Sequence, residues 1–381
     1  MTRANILTLW SCFLVLEATA FVNAFVFDLK GGTVDAVRFQ AAAAEWAEHG
    51  EWVFAINSQF FVQYLGTLYR VFGPNEFIAT QFGILAIMAA AVLFIRILAT
   101  AGLRTPAIAL FLFLLWPSMA LRVTTTLREP YMILSIMMTA YCLFRFYQLP
   151  AFRHAVGALL ALSIGALFHK AIAVLLPFVV VWMGVQFIRK SSRHRMRRSL
   201  PLGFLVLGCA FFLLVRLAQV DTDIQGLKPL QSLITWDIDQ ISRVLDYKTG
   251  RDFRTTYDVS LSFDGPIAFI TSGIQVFIHY MFMPFPWNVS HPYDLVAFLE
   301  SLFRFIGLIL ILRFGVFGSG LPRICRGLWL FGFVICLIWA AGTSNYGTAS
   351  RHHLTTNWIF LVAYIACFRL PRTSPARSAV A

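Results

Sequence analysis

Asp35, Arg122, Arg128, Glu129, His169, Lys170, Arg351, His352 and His353 are the residues of this chain whose types could do chemistry together. A carboxylate such as Asp35 can take a proton from a hydroxyl group. The Arg fork matches phosphate oxygens in a bidentate way, and Lys or protonated His adds a compact positive charge. Cations beside a departing phosphate stabilise the charge that develops on it. The set therefore has the makings of a base and of an anion cradle. Its members sit in short polar interruptions of an apolar chain: RVTTTLREP at 122–130, His169-Lys170, and SNYGTASRHH at 344–353.

The elements that must position them follow from composition. The chain has 381 residues, 59% hydrophobic and 13% charged, with a mean hydropathy of +0.73. That excludes an ordinary soluble domain and predicts an all-α, polytopic bundle of transmembrane helices forming a single integral membrane domain over 1–381. The alternation expected of a membrane β-barrel is absent. Six cysteines lie in or beside apolar segments without paired or metal-ligand spacing, so they read as small buried hydrophobes. A net charge of +13 reports orientation here rather than a nucleic-acid partner.

Apolar windows place spans near 5–27, 76–98, 106–121, 130–147, 152–168, 171–188, 200–217, 294–313, 326–343 and 354–369. The stretch 155–188 is too long for one span. A straight helix over it would measure on the order of 50 Å, against a hydrocarbon layer about 30 Å thick. It divides into two helices with His169-Lys170 at the turn. The N-terminal segment has the outline of a signal peptide with Val22-Asn23-Ala24 before the cut, but Glu17 and the apolar continuation to Phe27 favour a retained first span.

Arg96, Arg104, Arg145, Arg153, RKSSRHRMRR at 189–198, Arg313, Arg323, Arg326 and the tail residues Arg369, Arg372 and Arg377 fall in connections without an acid. The positive-inside rule places these connections and both termini in the cytoplasm. Counting 266–285 as a full span would reverse that pattern, so it is expected to be interfacial or re-entrant, leaving about ten spans. Two external segments are long, 28–75 and 218–265. Arg122, Arg128, Lys170 and Arg351 then lie outside, where orientation gives no reason for them, and binding an anion does.

Within 28–75, VDAVRFQAAAAEWAEHG predicts a helix opening at Asp35 and ending at Gly50. NSQFFVQYLGTLYRVFG predicts an amphipathic helix with Asn57 or Ser58 as N-cap and an apolar face of Phe61, Tyr64, Leu65, Leu68 and Phe72. One span, an Asp opening a helix, an Ala-rich run closed by Gly, an aromatic amphipathic helix ending Phe-Gly, and a second span resemble the GT-C superfamily, over about residues 5–135. These are membrane glycosyltransferases that take sugars from polyprenyl-phosphate carriers at the external face. The resemblance implies that Asp35 is the catalytic base or a metal-associated residue. The family often carries a second acid next to it; here Ala36 stands there, which leaves a divalent metal weakly supported. TTTLREPYMIL, PFPWNVSHPYDLVAFLE and SNYGTASRHHLTTNW are similar to segments of bacterial surface-polysaccharide assembly proteins, including O-antigen-polymerase-like ones.

The resemblance implies an enzyme of the bacterial inner membrane. Its expected partners are a polyprenyl-phosphate-linked sugar, a glycan or lipid-linked acceptor, and membrane lipid. The alternatives are a polymerase joining polyprenyl-diphosphate-linked repeats, with Arg243, Lys248, Arg251 and Arg254 gripping one carrier, and a flippase, against which the absence of an internal repeat speaks.

Competing structural roles remain for several residues. Asp35 also has the place of a helix N-cap, Arg128-Glu129 that of a local ion pair opening a span, and Glu300–Arg304, spaced i,i+4, reads as a structural ion pair. His352 and His353 point about 100° apart on a helix, a poor arrangement for metal. Trp287 and Tyr293 read as interfacial belt residues.

Overall fold

A computed structural model describes residues 1–27, 33–190, 255–262, 264–316 and 323–368. The expected span 200–217, most of the second long segment, and Arg243, Lys248, Arg251 and Arg254 lie outside the described residues. The described chain is all-helical, and a lone antiparallel bridge joins Thr256 to Asn345.

α1 runs Arg3–Phe25, with the Thr2 hydroxyl accepting from the Asn5 N–H at 3.2 Å as its cap. Two shorter helices follow, α2 (Thr33–His49) and α3 (Ser58–Phe72), as the sequence predicts. α4 (Glu76–Thr100) is capped by Asn75, whose side chain accepts from the Ile78 N–H at 3.2 Å. The expected span 106–121 is broken into α5 (Ala107–Leu114) and α6 (Pro117–Val123). Pro117 explains the break, since it lacks an N–H, forces the preceding Trp116 out of the helical region, and suits the first turn of a new helix.

α7 (Glu129–Gln148) and α8 (Phe152–Phe168) pack side by side. His169 is extended, a short 3-10 turn spans Lys170–Val174, and α9 (Leu175–Lys190) follows, so the long apolar run does divide where expected. α10 (Pro266–Phe282) packs against α11 (Pro292–Leu310), which continues as a π-helical turn to Val316. α10 has 17 residues, so its length of about 26 Å falls short of a bilayer core. α12 (Arg323–Ala341) and α13 (Tyr346–Phe368) complete the bundle. Arg3–Phe25, Glu76–Thr100, Lys170–Arg189 and Pro292–Phe314 are long and apolar enough to cross a membrane.

α13 is the central helix. It touches α5, α6, α7, α10, α11 and α12, and every residue from His353 to Ala363 is buried. It starts at Tyr346, so Arg351, His352 and His353 lie on its first two turns and not in the expected turn 344–353. Asn345 explains the early start: its side-chain oxygen accepts from the Thr348 N–H at 2.7 Å and satisfies a first-turn donor.

α2 and α3 form a hairpin around Trp46. A Cβ on Gly66 would meet the Trp46 ring at 2.4 Å, so only glycine allows this approach. Arg70 lies over the Trp46 ring at 4.3 Å and donates to the Trp46, Ala47 and Gly50 carbonyls, closing the C-terminus of α2. Phe61, Leu65 and Tyr69 are buried, while Phe72 is exposed, so Tyr69 takes the last place on the apolar face. The cysteines among the described residues are unpaired, and Cys12, Cys142, Cys325 and Cys336 are buried.

Candidate functional site

The parts of the site converge where α2 and α3 meet the starts of α7 and α13 and the end of α8. The turn 124–128 between α6 and α7 is fixed from two sides. Asn23 of α1 donates to the Thr124 carbonyl at 3.2 Å, and Gln40 of α2 donates to the Thr126 hydroxyl at 3.1 Å. This turn presents Arg128 and Glu129; Arg122 lies at the last turn of α6.

Arg351 occupies the middle of the cluster. Its Nε and Nη2 both lie 2.6 Å from Glu129 Oε1, and its Nη1 donates to Asp35 Oδ2. The side chains of Glu129 and Arg351 are 5% and 15% exposed, whereas that of Asp35 is 43% exposed. Arg351 is thus anchored on a buried carboxylate and reaches a second one that solvent also reaches. Asp35, on the first turn of α2, is turned to Arg351, and Glu129 pairs with Arg351 rather than with its neighbour Arg128.

The other two guanidiniums are held by neutral groups among the described residues. Arg122 Nη2 donates to the Ser350 hydroxyl at 3.2 Å, and its buried Nε has no partner. Arg128 Nη1 donates to the Asn57 side-chain oxygen, to the Phe168 carbonyl at 3.3 Å and to the Ser58 hydroxyl at 3.5 Å. Burial pulls the Arg128 pKa down, and Arg351 acts in the same direction, against the pull of Glu129 and Asp35. Glu129, Glu300 and Asp35 all draw on Arg122, so three carboxylates face the three guanidiniums. Glu129 Oε2 is also buried without a partner. Among the described residues the cluster thus keeps one buried donor, on Arg122, and one buried acceptor, on Glu129, without a partner.

Asn57 is a residue that its type alone would make an N-cap. It stands at the cap position of α3 but makes no side-chain cap bond, with φ of 63°. Its N–H donates to the Leu167 carbonyl at 2.6 Å, and its side chain serves Arg128 instead. A non-glycine residue held at positive φ is a local strain that the surrounding contacts must outweigh.

His169 and His352 come together around Trp339. The His352 ring stacks on Trp339 with centroids 4.0 Å apart, and the His169 ring meets Trp339 at 4.6 Å and His352 at 5.8 Å. His352 Nδ1 lies 2.9 Å from the Thr343 hydroxyl, and His169 Nδ1 accepts from the Ala171 N–H at 3.3 Å. Lys170 opens the 3-10 turn beside them, half-buried. His353 does not join: it is buried, with Nε2 2.7 Å from the Tyr280 carbonyl and its ring 4.2 Å from the Tyr280 ring.

No group of three or more His, Cys, Asp or Glu among the described residues could hold a metal ion. Arg351, lying between Asp35 and Glu129, takes one oxygen of each and opposes a cation there by its charge. The expected Glu300–Arg304 ion pair is not formed. Glu300 accepts from the Ser118 N–H at 3.1 Å and so holds the start of α6, while Arg304 Nε donates to the Met281 carbonyl at 3.0 Å near the end of α10. Trp287 and Tyr293 are exposed.

Comparison with protein-family models, with curated proteins and with solved structures finds no match to this chain.

Proposed function

We propose that the protein is a membrane glycosyltransferase of the GT-C type, moving a sugar from a polyprenyl-phosphate carrier to a cell-surface glycan or a lipid-linked acceptor. In this reading about ten helices span a bacterial inner membrane, both termini are cytoplasmic, and the cluster around Arg351 faces the exterior. The supporting observation is the meeting of Asp35, from the juxtamembrane helix, with Glu129 and Arg351 beside Arg122 and Arg128. Sequence order alone would leave Asp35 and Arg351 316 residues apart.

The reaction divides between the two kinds of charge. The Asp35 carboxylate takes the proton of the acceptor hydroxyl as that oxygen bonds to the anomeric carbon of the sugar. The bond from that carbon to the carrier's phosphate oxygen breaks, and its electron pair leaves on the phosphate. Arg122, Arg128 and Arg351 meet the charge that develops there. The products are the glycosylated acceptor, the lipid phosphate, and a protonated Asp35 that returns its proton to water.

The test is reconstitution of the whole chain in proteoliposomes, supplied separately with a polyprenyl-monophosphate sugar and with a polyprenyl-diphosphate oligosaccharide. Transfer from the monophosphate donor alone is the expected result. Elongation from the diphosphate donor alone would make the protein a polymerase of lipid-linked repeats, and lipid translocation without transfer would make it a flippase.

A further inference from the structure

Arg351 has two carboxylate partners of very different exposure, and the difference gives them different tasks. Glu129, 5% exposed, faces both Nε and Nη2 of Arg351 at 2.6 Å. An ion pair of that burial is costly to open, because separating the partners leaves a bare charge in a poorly solvated place. Asp35, 43% exposed, meets Nη1 from α2, which is held here by Phe39 packed on the core and by the Gln40 bond to Thr126. An ion pair that water reaches contributes little and exchanges readily. The Glu129 side of Arg351 is the anchor, and the Asp35 side is the part that can be exchanged.

The Asp35 oxygen that accepts the Arg351 N–H has a lone pair committed to that contact. On that side Arg351 meets one carboxylate oxygen. An incoming phosphate, in contrast, is a better partner for Arg351 than a single carboxylate oxygen is, since it brings more charge and more acceptor atoms. It would also find the unpaired Nε of Arg122 and the neutrally held Arg128 in the same cluster.

We propose that Arg351 is a clasp shared in turn by Asp35 and the donor's phosphate. The phosphate displaces Asp35 from Nη1, so that arrival of the donor and release of the base are one event. Glu129 is the positioning residue that keeps Arg351 in place through the exchange. The proposal rests on the glycosyltransferase reading for the identity of the anion, a phosphate monoester on a lipid. It adds that the base is restrained until the donor is bound.

The test is equilibrium binding of sugar-free polyprenyl monophosphate to the purified whole chain, in wild type and in Asp35→Asn. Competition predicts that Asp35→Asn binds the lipid phosphate about three- to fivefold tighter, the factor set by removing a partly exposed ion pair. Glu48→Gln, which removes the same charge from the far end of α2 where its side chain is 73% exposed, is expected to leave binding unchanged. Glu129→Gln is expected to weaken binding, because Arg351 then loses its anchor. Unchanged or weaker binding by Asp35→Asn overturns the clasp, and so does an equal gain in Glu48→Gln. In both cases wild-type binding would leave the function itself standing. Failure of the wild type to bind the lipid phosphate overturns both.

Discussion

Arg351 and Asp35, 316 residues apart in the chain, form an ion pair that joins α2 to the central helix α13. Glu129 receives the other side of the same guanidinium. One arginine thus ties together three elements, and the consequences can be measured at each.

Glu129 is the buried member. Replacing it with alanine leaves the Arg351 charge without its anchor, a change that costs about 3–5 kcal/mol when a buried pair is broken from one side. Thermal unfolding of the detergent-solubilised protein is expected to shift down clearly for Glu129→Ala and less for Glu129→Gln, which keeps an acceptor oxygen. Equal stability of Glu129→Ala and wild type would show that the pair does not hold the bundle together.

Asn57 separates backbone strain from side-chain function. Glycine accepts a φ of 63° freely, whereas alanine does not. Asn57→Ala is expected to be less stable than Asn57→Gly by about 1–3 kcal/mol. Both lose the acceptor that orients Arg128, so both are expected to raise the KM for the donor by a similar factor. A normal KM in Asn57→Gly would remove Arg128 from donor recognition.

Gly66 tests the α2–α3 hairpin. A Cβ there would lie 2.4 Å from the Trp46 ring, and forcing the helices apart costs about 1–3 kcal/mol. Gly66→Ala is expected to speed protease cleavage between α2 and α3 and to lower sugar transfer, since Asp35 rides on α2. Wild-type behaviour in both measurements would mean that the hairpin tolerates separation without moving Asp35.

Arg122 and Arg128 test the cradle. Because neutral groups hold them, removing their charge leaves no carboxylate directly unpaired. Arg122→Gln and Arg128→Gln are expected to raise the donor KM roughly tenfold each, the loss of a charge-assisted contact of about 1.5 kcal/mol, with a smaller effect on stability than Glu129→Ala. A fall in kcat with unchanged KM would place their action in the transition state alone.

Much of this architecture is legible in the sequence because it follows from local patterns. The apolar windows, the division at His169-Lys170 and the two helices of 28–75 come from periodicity and capping residues, which act over a few residues. Pro117 is a visible signal of the break between α5 and α6 that a purely hydropathic reading passes over. The start of α13 was hidden because Arg351, His352 and His353 look like a turn when judged by polarity. On a helix the same three residues face in different directions, about 100° per step. That is why Arg351 reaches Asp35 and Glu129, His352 stacks on Trp339, and His353 turns to Tyr280. The pairing of Asp35 with Arg351, and the diversion of Asn57 from capping to Arg128, depend on how distant segments pack and have no signature in either segment alone.

The most direct measurement of the central claim is single-turnover transfer from a polyprenyl-monophosphate sugar by proteoliposomes holding wild-type or Asp35→Asn protein at equal, correctly inserted amounts. The account predicts time-dependent release of polyprenyl monophosphate and a glycosylated acceptor with the wild type. With Asp35→Asn it predicts a rate lower by about 10²–10⁴, the usual range for loss of a general base. Transfer by Asp35→Asn at the wild-type rate, or no consumption of this donor by the wild type, would contradict it.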